Sequence, residues 1–170
     1  PFEGVNGTKQ PRYYQELAVN HAVAAIASER PRVLLTLATG TGKTFIAFQI
    51  AWKLFKSRWT KQRDGKRQPR ILFLADRNIL ANQAYLGFDA FDAAALVRIN
   101  PADIAQRGEV PTNGSVFFTI FQTFMSGAEG KPYFGEYEPD FFDLVIIDEC
   151  HRGGANDEGT WRGILDYFSS

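Results

Sequence analysis

Residues 33–44 read Val-Leu-Leu-Thr-Leu-Ala-Thr-Gly-Thr-Gly-Lys-Thr, and this stretch decides the fold. Val33–Leu37 is a short apolar run, the pattern of a strand buried on both faces. A glycine-rich turn follows, Ala38-Thr39-Gly40-Thr41-Gly42-Lys43-Thr44. Beyond it Phe45, Ile46, Phe48, Gln49, Ile50, Trp52 and Phe55 continue as a helical segment. A glycine turn between a buried strand and a helix is the setting of a phosphate-binding loop. The glycines let backbone N–H groups turn inward around an anion, and the helix N-terminus adds a positive field there. On this reading Thr39, Gly40, Thr41, Gly42, Lys43 and Thr44 cradle a nucleotide. Lys43 reaches the β- and γ-phosphates, and the Thr44 hydroxyl ligates Mg²⁺. The strict pattern asks for Gly five places before Gly42, where this chain has Leu37. A chance glycine turn is the competing reading, and the strand–turn–helix context weighs against it.

Outward from this loop the chain alternates helix and strand. Residues 11–28 start at Pro11 and place Tyr14, Leu17, Ala18, Ala22, Ala25 and Ile26 at helical spacing, with Pro31 marking the end. Ile71–Ala75, Leu96–Ile99, Val116–Thr119 and Leu144–Ile147 read as further buried strands. Asn78–Phe88 reads as a helix, and Trp161, Ile164, Leu165 and Phe168 line one face of a closing helix. Residues 127–140, with three glycines and two prolines, read as a loop. Buried strands separated by helices predict an α/β domain with a mainly parallel central sheet flanked by helices.

The second chemical signal is Asp148-Glu149-Cys150-His151, directly after the apolar run Leu144–Ile147. Carboxylates at the C-terminal end of a buried strand suit a nucleotide site. Asp148 is the candidate Mg²⁺ holder, and Glu149 the group that orients and polarises an attacking water. Adjacent side chains on extended backbone point to opposite sides, which suits two separate roles. Cys150 reads as a small packing residue rather than a nucleophile.

The chain has 170 residues, 45% of them hydrophobic, enough for one domain with a sizeable core. Its charged fraction of 22% excludes general disorder. No run of about 18 apolar residues suggests a membrane span. One cysteine excludes a disulfide framework and a multi-cysteine metal site. The first ten residues, PFEGVNGTKQ, carry no initiator Met and no signal core, so the expectation is a piece of a longer, cytoplasmic protein. Net charge is zero, but residues 53–70 hold eight cations against Asp64, a local net charge of +7. That segment reads either as a solvated connection or as a loop contacting nucleic-acid phosphates.

Together these residues carry a resemblance. ATGTGKT and DECH resemble motifs I and II of superfamily-two helicases and translocases. Arg12-Tyr13-Tyr14-Gln15 resembles the Q motif, which implies that Gln15 reads the adenine edge with its amide while Tyr13 or Tyr14 stacks on the ring. Ala75-Asp76-Arg77-Asn78 with Gln83 resembles motif Ia, and Val116–Thr119 with Phe121-Gln122-Thr123 resembles motif Ib. Those two regions touch the nucleic-acid backbone in the family. FLADRNILANQA, FTIFQTF and DECHRGGANDEGTWRGILDYF are most similar to the motor (restriction) subunit of type I restriction-modification enzymes.

The resemblance implies a RecA-like P-loop fold. Residues 1–170 correspond to the first, ATP-binding motor domain. A second RecA-like domain, carrying an arginine finger, and a nuclease domain lie outside this segment. It also implies that the sheet stops short of the motif III strand, which lies between the phosphate-loop and motif II strands in this family. The implied function is the ATP-hydrolysing half of a translocase on double-stranded DNA, with ATP and Mg²⁺ as cofactors. Specificity and methylation subunits of a restriction complex are the implied partners. Two rivals stand beside it: a strand-separating DNA or RNA helicase, and a nucleotide-gated scaffold without turnover. Glu149 argues against the scaffold, which can dispense with a water-orienting carboxylate.

Overall fold

The computed structural model describes residues 10–75, 88, 90–127, 130–148 and 155–169. Four parallel strands form the sheet: β1 (Ile71–Ala75), β2 (Leu96–Arg98), β3 (Val116–Ile120) and β4 (Leu144–Ile147), in the order β2-β3-β1-β4. Among the described residues five α-helices flank it: α1 (Tyr13–Ala27), α2 (Lys43–Lys56), α3 (Pro101–Arg107), α4 (Phe121–Met125) and α5 (Ala155–Phe168).

The period-two alternation of β1 and β3 builds two cores from one sheet. Ile71, Phe73, Ala75, Val116, Phe118 and Ile120 face α1 and α2. Leu72, Leu74 and Phe117 face the other side, with Ile104 of α3, Phe124 of α4, and Ile164 and Phe168 of α5. Both central strands are therefore buried along their whole length. The result is a three-layer α/β domain, as the apolar runs predict. On the second face, Tyr137, Phe141, Phe142 and Phe168 pack ring against ring at 4.9–5.1 Å. The Tyr137 hydroxyl donates to Pro111 O at 3.0 Å, and burial pushes its pKa up, so it keeps that proton.

Three expectations change. Val33–Leu37 is not a strand of this sheet. Its backbone is irregular, and Leu34 is 79% exposed. A strand is stable only when both ladder edges find partners or water, and β4, the sheet's edge, pairs with β1 alone. The apolar run thus has the composition of a buried strand but no neighbour among the described residues. A polypeptide of residues 1–170 by itself is therefore expected to be poorly soluble, with freely exchanging amides at 33–37. A sharp cooperative melt with protected amides at 33–37 would contradict this.

The basic segment after α2 is exposed over residues 61–66, as a solvated connection would be, but three of its cations also clasp the domain. Asp143 is fully buried at the start of β4 and accepts four hydrogen bonds. Two come from the Arg67 guanidinium at 2.6 and 3.1 Å, and two from backbone N–H groups, Lys61 at 2.9 Å and Arg70 at 2.8 Å. Lys61 Nζ donates to Phe168 O at the end of α5. Arg63 donates to Ala27 O at the end of α1 and pairs with Glu29. Lys61, Arg63 and Arg67 thus satisfy two helix C-terminal carbonyls and one buried carboxylate inside the domain.

The third change is an addition. The short helix α3 went unread in the sequence, although Asn100 caps it, Pro101 opens it and Gly108 closes it in the left-handed conformation. The helix expected at 78–88 lies almost wholly outside the described residues.

Candidate nucleotide site

The glycine turn takes the backbone conformation expected from its sequence. Gly40 and Gly42 have φ of +79° and +82°, a region that favours glycine. Gly42 is further fixed by a close approach, since a Cβ there would lie 2.6 Å from Gln15 Nε2. The turn closes on itself where Thr41 Oγ1 donates to Ala38 O at 2.7 Å. Helix α2 then begins at Lys43, and its first backbone bond runs from Ile46 N to Gly42 O. Thr39 and Gly40 are exposed, while Thr41, Gly42, Lys43 and Thr44 are half-buried.

The clasp bears on which edge of the sheet this loop occupies. Lys61, five residues beyond the end of α2, bonds to Asp143 at the N-terminal end of β4. A 14-residue helix is about 21 Å long, slightly more than a five-residue strand at about 17 Å. Helix α2 is thus long enough to cross the whole sheet, and its chain direction is that of a helix starting at the C-terminal edge of the strands. Asp148 lies at that same edge. Its N–H donates to Leu74 O at 3.0 Å, so the residue leaves β4 beside the end of β1. Ligands of open α/β sheets bind at this edge. Glu149, Cys150 and His151 lie outside the described residues, as do Asp76, Arg77, Asn78 and Gln83 of the motif Ia resemblance.

Gln15 joins the loop directly. Its Nε2 donates to Thr41 O at 2.8 Å, and its Oε1 accepts the Arg12 N–H at 2.9 Å. Each amide atom keeps one further valence, a second N–H and a second lone pair, so pairing with a purine edge remains chemically open. The two tyrosines separate. Tyr14 is half-buried with its hydroxyl on Thr41 O, whereas Tyr13 is 77% exposed and is the ring available for stacking. Of the motif Ib resemblance, Val116–Thr119 is buried, and the Thr119 hydroxyl donates to Ile99 O. Gln122 is exposed and Thr123 half-buried. Arg12 and Asp143 are the residues whose roles the sequence reading missed. The only available signal was position: Asp143 directly precedes β4, and Arg12 stands three residues before Gln15.

The glycine cradle at a helix start, the Thr and Lys donors and a carboxylate at the C-terminal end of β4 fit a magnesium nucleotide. A parallel sheet with these groups is the arrangement of helicase-like, RecA-type motor domains. The chain belongs to the ResIII family, whose model, described as the res subunit of type III restriction enzymes, matches residues 8–170. It is 44% identical over 95% of its length to the EcoAI type I restriction enzyme endonuclease subunit of Escherichia coli, covering 18% of that protein. It is 32% identical to the EcoKI endonuclease subunit of Escherichia coli strain K12 over 93% of its length, covering 13% of that subunit. The chain thus spans less than a fifth of either of these two subunits.

Among solved structures, it superposes with a TM-score of 0.71 on a fragment assigned to an HsdR subunit of a type I restriction enzyme from Vibrio vulnificus YJ016. Identity is 40%, covering 99% of this chain and 25% of that one. The UvsW helicase of bacteriophage T4 shares the fold at 17% identity and a TM-score of 0.65, over 99% of this chain and 53% of that one. The resemblance to the superfamily-two motor of type I restriction subunits is thereby borne out. Among the described residues no helix is long and apolar enough to cross a membrane.

Proposed function

We propose that residues 1–170 form the first, ATP-binding motor domain of a type I restriction subunit. It couples ATP hydrolysis to movement along double-stranded DNA. The observation that carries this reading is a glycine turn opening α2 and Asp148 at the C-terminal end of β4, in a chain 44% identical to a type I restriction subunit. Backbone N–H groups of Thr39–Thr44 and Lys43 Nζ bind and orient the phosphates, and Gln15 selects the base. Thr44 and Asp148 would hold Mg²⁺, which when bound supplies positive charge against the phosphate oxygens. Glu149 positions the attacking water and takes its proton. A second RecA-like domain completes the site from the far side, and closure of the two domains drives stepping. Specificity and methylation subunits are the proposed assembly partners, and the cytoplasm the proposed location.

The test is ATPase activity of the full-length protein with duplex DNA, single-stranded DNA, RNA or no addition. Stimulation by duplex DNA without strand separation supports translocation. Stimulation by RNA, or by single strands with unwinding, would replace it with the strand-separating reading. Glu149→Gln is expected to retain ATP binding while hydrolysis falls about a hundredfold or more. Equilibrium binding and single-turnover kinetics separate the two, and a parallel loss of both would remove Glu149 from the role of base.

A further inference from the structure

The phosphate loop is held from α1 by more than Gln15. The Arg12 guanidinium donates to the Tyr14 hydroxyl at 3.1 Å, and that hydroxyl donates to Thr41 O at 3.3 Å. Thr41 O thus accepts two bonds from α1, one from Gln15 Nε2 and one from Tyr14. The described chain contains no cis peptide. In a trans peptide the C=O and the following N–H point in opposite directions. Fixing Thr41 C=O onto α1 therefore turns the Gly42 N–H away from α1. Among the described residues that N–H finds no protein acceptor. It sits one residue before the first turn of α2, where an anion is favoured. At φ +82° Gly42 has unusual conformational freedom, and a peptide next to it flips easily unless something holds it.

We propose that Arg12 and Tyr14 form a base-independent latch that presets the Thr41–Gly42 peptide for phosphate, so that Tyr14 is a positioning residue of the nucleotide site. This rests on the reading of residues 38–44 as a phosphate loop. The latch differs from base recognition in what it affects. Gln15 has amide valences left for a purine, whereas the Tyr14 hydroxyl accepts from the Arg12 guanidinium and donates its own proton to Thr41 O, so it is committed to the loop. Arg12 strengthens the latch because a charged donor polarises the hydroxyl it binds.

The experiment compares Tyr14→Phe, Arg12→Gln and Gln15→Ala with wild type in the full-length protein. Equilibrium binding is measured for ATP, GTP and inorganic tripolyphosphate, each with Mg²⁺, and melting is recorded alongside. Tripolyphosphate has no base, so it reports on the loop alone. Tyr14→Phe is expected to weaken ATP and tripolyphosphate equally, by about fivefold, leaving the ATP-to-GTP preference and the melting temperature unchanged. Arg12→Gln is expected to act in the same direction, and Gln15→Ala to lose tripolyphosphate affinity and base preference together. Unchanged tripolyphosphate binding in Tyr14→Phe would overturn the latch. So would a loss confined to ATP, which would make Tyr14 a base contact. Wild-type protein that binds neither ATP nor tripolyphosphate would overturn the phosphate-loop reading, and the latch with it.

Discussion

Replacing Lys43 by alanine is expected to cut ATP turnover by the full-length protein about a hundredfold or more, a loss near 3 kcal/mol of transition-state stabilisation. The reason is local. Lys43 is the first residue of α2, half-buried, directly after the glycine turn. Negative charge spreads over the transferred phosphoryl group in the transition state, and a fixed cation there interacts more strongly than it does in the ground state. Arginine at the same position is expected to rescue little, because its planar fork differs from a compact ammonium. Steady-state turnover with saturating nucleotide is the measurement. Near wild-type turnover in Lys43→Ala would remove the phosphate-loop assignment.

Asp143→Ala carries the largest expected effect on stability, about 3 kcal/mol, at the lower end of the range for breaking a buried charge pair because Arg67 is partly open to solvent. The carboxylate is the common acceptor of Lys61 N, Arg70 N and the Arg67 guanidinium. Deleting it leaves two backbone N–H groups and one cation without their partner. Those groups join the α2–β1 connection to the start of β4, so the disturbance reaches both strands that frame Asp148. Hydrogen exchange of the full-length protein should show faster exchange in residues 60–75 and 141–147, by about a hundredfold. Arg67→Ala is expected to do less, since two backbone donors remain on the carboxylate. Unchanged exchange in Asp143→Ala would mean that the clasp contributes nothing to holding β4. The same contacts bear on nucleic-acid binding. Lys61, Arg63 and Arg67 have partners within the domain, so their removal would confound any test of DNA affinity with lost packing.

Much of this molecule was legible in the residues alone. Apolar runs of four or five residues located β1, β3 and β4 because strands buried on both faces must be apolar throughout. Gly40 and Gly42 announced the loop because the left-handed backbone there favours glycine, and the helix after it followed from its spacing. The family, too, was legible, since the loop and the acidic tetrad lie in sequence order with enough flanking residues to compare.

The tertiary structure decided the rest, wherever the deciding partner lies far along the chain. Val33–Leu37 has a strand's composition, but a strand exists only against a neighbour, and none of the described residues pairs with it. The basic segment has the composition of a surface loop. Three of its cations, Lys61, Arg63 and Arg67, are also engaged by Phe168, Ala27 and Asp143, from 36 to 107 positions away along the chain. Gln15 was a candidate base reader only through the resemblance, and its bond to Thr41, with that of Tyr14 beside it, depends on α1 packing against the loop 26 and 27 residues later. Composition and periodicity report which groups must be buried or turned. Which buried donor meets which acceptor is fixed only when the layers close.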